Sequence, residues 1–273
     1  MTYLPTPLPW LRQGRLNAVP TLLVLAIAVL TAACGASRNA MPVDTANPDR
    51  FLYERGTAAL KERKWLDARE YFRQVVDNYP QSPLRPDAKL GIGESYLGEK
   101  GAENLVLAAN EFREFLTFYP LNLRADYAQY QLAMSHFMQM RAPDRDQTET
   151  KDAIAEFNAF FQRFPQSPLV PEVRLKWREA RDRLSEASFR VGYHYFRIRW
   201  YPGAIDRFRE ILKEDPEFSG RDRVYFHLAE SLVRADNKNT AEAVPYFQRL
   251  LDEFKTSEYV EEAQARLETL KNQ

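Results

Sequence analysis

The chain has 273 residues, and its 38 Lys+Arg balance its 38 Asp+Glu, so it has neither the basic field that nucleic acid requires nor an acidic tail. With 17 Phe and 14 Tyr it can build a large aromatic core, and its single cysteine excludes any disulfide within the chain.

At the N-terminus, Arg12 and Arg15 precede a short apolar run that ends in LTAACGAS. Such a segment describes an export signal, predicted over residues 1–33, and is too short to span a bilayer as a mature helix. Cys34 follows Ala32 and Ala33 in an arrangement that resembles a bacterial lipobox, although Thr31 stands where leucine is usual. The resemblance implies acylation of Cys34, with an ordinary signal and a free thiol as the alternative. Two acyl chains would make membrane attachment lasting. Gly35, in place of the aspartate that retains many lipoproteins at the inner membrane, implies the periplasmic face of the outer membrane. Residues 34–47 read as a flexible tether, and Pro48 as the first helical position.

From there the chain repeats itself. Ala68, Phe72, Val75, Val76, Tyr79 and Pro80 stand at offsets 0, 4, 7, 8, 11 and 12. The same offsets return at Ala108, Phe112, Phe115, Leu116, Tyr119 and Pro120, and again at Ala153, Phe157, Phe160, Phe161, Phe164 and Pro165. Two further copies begin at Ala204 with Phe208 and at Ala243 with Phe247, but Asp215 and Lys255 break the pattern at their ends. These offsets trace one face of a helix, and proline ends it. Ser82 and Ser167 are the expected caps of the helices that follow. Upstream, Gly56 and Gly192 each lie 24 residues before the closing proline, the tetratricopeptide register for the first helix of a hairpin. Other copies accommodate the insertions EKGAENLVLA, RAPDRDQTET and RADNKNT. The predicted fold is an all-α tetratricopeptide superhelix of about five hairpins, three within residues 48–183 and two within 184–273. Between Pro171 and Trp200 no proline interrupts the chain, which predicts one long helix or two collinear ones bridging the two groups.

Chemistry-bearing patterns are scarce. His136, His194 and His227 fall in first-helix positions, with no second histidine or carboxylate at ligand spacing along the chain and no HExxH. They read as packed or solvated helical residues. DRDQTET at 144–150 lacks the central glycine and closing glutamate of a calcium loop. It reads as a polar loop in which Asp146 caps the next helix and Glu149 completes a capping box. Walker and GxSxG patterns are missing as well. The expectation is a protein without catalysis, metal or cofactor.

Three stretches carry a more specific likeness: ADYAQYQLAMSHF, the DRDQTET loop with AIAEFNAFFQRFPQSP, and RDRLSEASFRVGYHYFRIRWYPGAIDRF. Together with the lipobox and the irregular repeats, they resemble the BamD family, also called the ComL or YfiO type, over about residues 51–270. The resemblance implies a scaffold subunit of the β-barrel assembly (BAM) machine of the outer membrane. N-terminal repeats of that family recognise the targeting strands of unfolded barrel proteins, and C-terminal repeats dock on a POTRA domain of the BamA-like barrel subunit, beside other BAM lipoproteins. On this chain the groove candidates are Tyr53, Tyr96, Tyr127 and Tyr130. Arg207 matches an arginine of the family's fourth repeat, and Arg209 and Arg223 are placed with it as docking candidates. A pilotin-like lipoprotein for secretin or pilus assembly and a Tol-Pal-associated periplasmic repeat protein remain the alternatives.

Overall fold

Eleven helices follow one another in the computed structural model, which describes residues 46–235 and 240–271. The export signal, Cys34 and nearly all of the tether lie outside the described residues, as does most of the RADNKNT insertion. Five hairpins are formed by α1 (Pro48–Lys61) with α2 (Trp65–Asn78), α3 (Arg85–Glu99) with α4 (Ala102–Phe118), α5 (Ala125–Phe137) with α6 (Thr148–Arg163), α7 (Val170–Arg197) with α8 (Tyr201–Glu214), and α9 (Arg221–Arg234) with α10 (Thr240–Glu253). A last helix, α11 (Val260–Lys271), packs on α10.

The repeat offsets describe the core directly. Phe72, Phe112, Phe157, Phe208 and Phe247 are each at most 2% exposed, and the alanine one turn before each is fully buried. Burial contributes about 1.5–3 kcal/mol per ring before entropy is subtracted. The glycines are there because the rings need room. A Cβ on Gly56 or Gly91 would come within 2.7 or 2.5 Å of the Phe72 ring, and one on Gly192 within 2.8 Å of Phe208.

The serines after the prolines work differently from the predicted caps. α3 and α7 begin three residues beyond Ser82 and Ser167, and neither helix has a side-chain cap. Instead each serine Oγ accepts the N–H two residues on, at Leu84 and Leu169, and donates 2.6 Å to an aspartate in the first turn of its own hairpin. The pairs are Ser82–Asp49 and Ser167–Asp126, and Ser257–Asp222 repeats the arrangement. An Oγ held in this local turn fixes the chain's exit and is too far forward to reach the helix N-terminus.

The fourth hairpin inverts the pair. Ser185 takes the aspartate's place on the first helix and donates 2.6 Å to Asp215, which stands where the other copies have an aromatic residue or phenylalanine. Asp215 is 3% exposed and is gripped by Arg178, with Arg181 also close. α7 is one unbroken helix of 28 residues, about 42 Å long at 1.5 Å per residue. The 183/184 boundary expected between the two groups of repeats therefore lies inside it. Apolar packing, however, does change partners there. Val173 and Ala180 belong to the core of the third hairpin, and Phe189 to that of the fourth and fifth. The Asp215 cluster occupies the gap between them.

Candidate functional site

First helices of stacked hairpins line the inner face of such a superhelix, and here they carry a linked set of polar and aromatic groups. Asp87 and Glu94 lie two turns apart on α3. Arg124, just before α5, reaches Asp87 at 3.3 Å and Glu94 at 3.1 Å and lies 4.8 Å from the centre of the Tyr127 ring. The Tyr127 hydroxyl is within hydrogen-bond reach of Gln131 and Glu94; burial first, then the Glu94 charge, pushes its phenol up to about 12. Tyr53 on α1 packs 5.8 Å from Phe72, and burial followed by the Asp87 charge raises its phenol. Tyr130 donates 2.8 Å to Glu172 of α7. Burial and that hydrogen bond raise the Tyr130 phenol further still.

Tyr53 and Tyr127 thus share one charge-linked face, whereas Tyr130 is 7% exposed and belongs to the core of the third hairpin. Tyr96 does not join that face either. It is 7% exposed, accepts a hydrogen bond of 2.6 Å from Arg73 of α2, and lies 4.4 Å below the Arg69 guanidinium. Two residues beyond Glu94, it projects from roughly the opposite side of α3. Sequence reasoning missed Asp87, Glu94 and Arg124. The seven-residue spacing of the two carboxylates was the available signal.

The three arginines also separate. Arg209 pairs with Glu242 of α10, and Arg223 pairs with Glu186 of α7 and covers the Phe189 ring at 4.5 Å. Both bind their own chain across hairpins. Among the described residues, Arg207 pairs with its helix neighbour Glu210, at 2.7 Å. It lines a cleft of about 600 Å³ together with Asp144 and Arg145 of the DRDQTET loop and Val191, His194 and Tyr195 of α7. Two stretches that are far apart in sequence, the loop and the VGYHYF segment, meet around this arginine. Arg190 bridges Asp144 at 3.7 Å and Glu186 at 3.2 Å, which ties the loop to α7.

Two readings of the loop region need correction. Glu149 does not close a capping box; its carboxylate lies 2.8 Å from Nδ1 of His136. Asp146 lies one residue too early to cap α6 and instead accepts from the N–H and hydroxyl of Thr148. His136 therefore does have carboxylates nearby, because the α5–α6 turn brings Glu149 and Asp152 to it. His227 is packed as expected. It donates from Nδ1 to the Arg223 carbonyl and stands edge-on to Tyr193 and Phe196.

An all-helical tetratricopeptide-repeat chain with an inner polar–aromatic face and a cleft at its fourth hairpin belongs to the class of repeat proteins built to bind other chains. The YfiO family, described as outer membrane lipoprotein, matches residues 45–229, and a tetratricopeptide repeat matches residues 223–257. This chain is 30% identical over 222 residues to the outer membrane protein assembly factor BamD of Caulobacter vibrioides, covering 81% of this chain and 71% of the relative. The BamD of Vibrio cholerae is 26% identical over 180 residues, with 62% and 73% covered, and that of Helicobacter pylori 23% over 207 residues, with 74% and 91% covered. The chain belongs to the YfiO/BamD family of outer membrane protein assembly factors.

Proposed function

We propose that this protein is the non-catalytic scaffold of a β-barrel assembly machine, anchored through acylated Cys34 at the periplasmic face of the outer membrane. Its first three hairpins hold the targeting strands of unfolded barrel proteins. Its fourth and fifth hairpins hold a POTRA domain of the BamA-like barrel subunit. The observation that carries this reading is the cleft around Arg207, where the DRDQTET loop meets the VGYHYF segment, two stretches whose resemblance to the family is more specific than the general repeat.

Of the three docking candidates, Arg207 has the best case. Arg209 and Arg223 are committed to carboxylates of neighbouring hairpins, whereas the Arg207–Glu210 pair is an exposed contact along one helix that a partner carboxylate can displace at little cost. At the other end, the half-buried Tyr127 ring supplies an aromatic surface for a peptide that ends in an aromatic residue, held in place beside Arg124, whose charge is taken up by Asp87 and Glu94.

The test is a pull-down of the detergent-solubilised full chain with the partner's periplasmic domains, alongside binding of a labelled barrel C-terminal peptide. Arg207→Glu is expected to abolish partner capture and leave peptide binding unchanged. Tyr127→Ala is expected to weaken peptide binding by about tenfold and leave partner capture unchanged. Loss of both activities in either folded variant, or of neither, overturns the division of labour.

A further inference from the structure

His136, in the last turn of α5, and Glu149 and Asp152, one turn apart at the start of α6, offer one nitrogen and two carboxylate oxygens that all lie within 4.8 Å of one another. We propose that these three side chains form a binding site for a divalent transition-metal cation of the zinc class, joining the two helices of the third hairpin.

The donor set supports this choice. One imidazole and two carboxylates suit zinc and its first-row neighbours, and the imidazole selects against calcium and magnesium, which prefer oxygen alone. Metal–ligand bonds of 2.0–2.2 Å in a tetrahedral site place donor atoms roughly 3.3 Å apart. Nδ1 of His136 and Oε2 of Glu149 are at 2.8 Å and need only open slightly, while Asp152 needs to close. Asp152 is exposed one turn after Glu149 on α6, so its rotamer is free to make that movement.

Access and surroundings are also compatible. Glu149 borders a cleft of about 460 Å³ that it shares with Asp146, Gln139 and Met138, so solvent reaches the site and water can complete the coordination. The C-terminal end of α5 favours a cation, and the N-terminal end of α6 opposes it. Lys100 and Arg141 on the walls of the same cleft add to the opposition. Net affinity therefore rests on the three donors themselves.

A bound cation would fix the ends of the connection that carries the DRDQTET sequence. Residues of that connection line both this cleft and the one around Arg207. The site is thus placed to hold one wall of the Arg207 cleft in position, although the metal proposal itself does not depend on any partner docking there.

The experiment is a titration of the tag-free full chain in detergent with Zn²⁺ by calorimetry, and with Co²⁺ by visible absorption. One ion per chain is expected, with the intense visible bands of low-symmetry Co²⁺, and each of Asp152→Asn, Glu149→Gln and His136→Gln should weaken binding by about tenfold or more. Asp152→Asn is the variant least able to disturb folding, because its side chain is exposed. Excess Zn²⁺ should also raise the Tm of the parent and not that of Asp152→Asn. Absence of stoichiometric binding, or binding that survives all three substitutions, overturns the assignment.

Discussion

Asp215 accepts hydrogen bonds from both terminal nitrogens of Arg178, at 2.8 and 2.5 Å, across 37 residues of chain. The pair joins the middle of α7 to the turn after α8 at the place where the apolar core changes partners. Removing Asp215 takes away the closer of Arg178's two carboxylates and leaves Asp182 at 3.1 Å, and Ser185 loses its acceptor. Asp215→Ala should therefore destabilise the protein by about 2 kcal/mol, the scale of hydrogen bonds to a charged group. Restoring the repeat's usual aromatic with Asp215→Phe should not help alone, because Arg178 would keep its charge. Combined with Arg178→Met, Asp215→Phe should recover much of the loss. Urea unfolding of the two single variants and the double variant checks this, and additive losses would contradict it.

Phe72 lies between two glycines on different hairpins, Gly56 and Gly91. Gly91→Ala should raise helix propensity yet destabilise, because the new methyl meets a packed ring at 2.5 Å. Overpacking of this kind costs about 1–3 kcal/mol. A thermal melt that shows Gly91→Ala equal to or above the parent would mean that the ring moves aside freely.

Acid should weaken the C-terminal hairpins in two stages. Burial holds the His227 imidazole below its ordinary value of 6.5, against the opposing hydrogen bond to the Arg223 carbonyl and the Glu230 charge. The unfolded chain then binds the extra proton, so stability is full above pH 6.5 and declines as the pH falls below it. Burial raises the Asp215 carboxyl, but the hydrogen bonds from Arg178 and Ser185 and the neighbouring guanidinium charges outweigh it and leave the group below 3.8. That contribution is present above the ordinary carboxylate range and is lost only as the pH drops through the lowered value. Urea midpoints measured from pH 7 to pH 5 should fall in the parent and much less in His227→Phe.

Acylation of Cys34 predicts that Cys34→Ser stays unprocessed or leaves the outer-membrane fraction. No described helix is long and apolar enough to cross a membrane. Sedimentation of membranes, followed by detection of the protein in each fraction, reads the result directly. A variant that is processed normally and kept in the outer-membrane fraction as well as the parent would remove the lipid anchor from the proposal.

At the inner face, Tyr127→Ala and Tyr96→Phe should differ. Tyr127 is half-buried beside Arg124, so truncating it should weaken peptide binding by about tenfold, in line with the loss of a central aromatic contact. Tyr96→Phe removes a hydroxyl held by Arg73 against α2 and should leave peptide affinity unchanged. Fluorescence anisotropy with one labelled peptide distinguishes the two.

The hairpins were legible because each buried face repeats in one helical turn pattern, and Phe72, Phe112, Phe157, Phe208 and Phe247 all occupy it. The long α7 was legible from the lack of proline between Pro171 and Trp200. Contacts between hairpins were not legible in the same way. Nothing in local spacing tells Tyr96 to turn toward α2, or directs Arg223 onto Glu186 and Phe189. Asp215 was visible only as an exception to the repeat. Its meaning depends on Arg178, which lies a whole helix away. His136 and Glu149 are separated by a loop whose path had to be known before their 2.8 Å contact was visible.

The double membership of α7 has a practical consequence for anyone who wishes to divide this protein. Residues up to Ala180 cover the third hairpin, while Arg178 and Arg181 are needed by Asp215 in the fourth. A cut placed before Arg178 uncovers part of the first fragment, and a cut placed after Arg181 leaves a buried carboxylate unpaired in the second. Two independently soluble pieces would each have to carry their own copy of the stretch around 178–185. A split reporter built on this chain would accordingly need overlapping fragments, with the duplicated turns competing for the same seat whenever the halves meet.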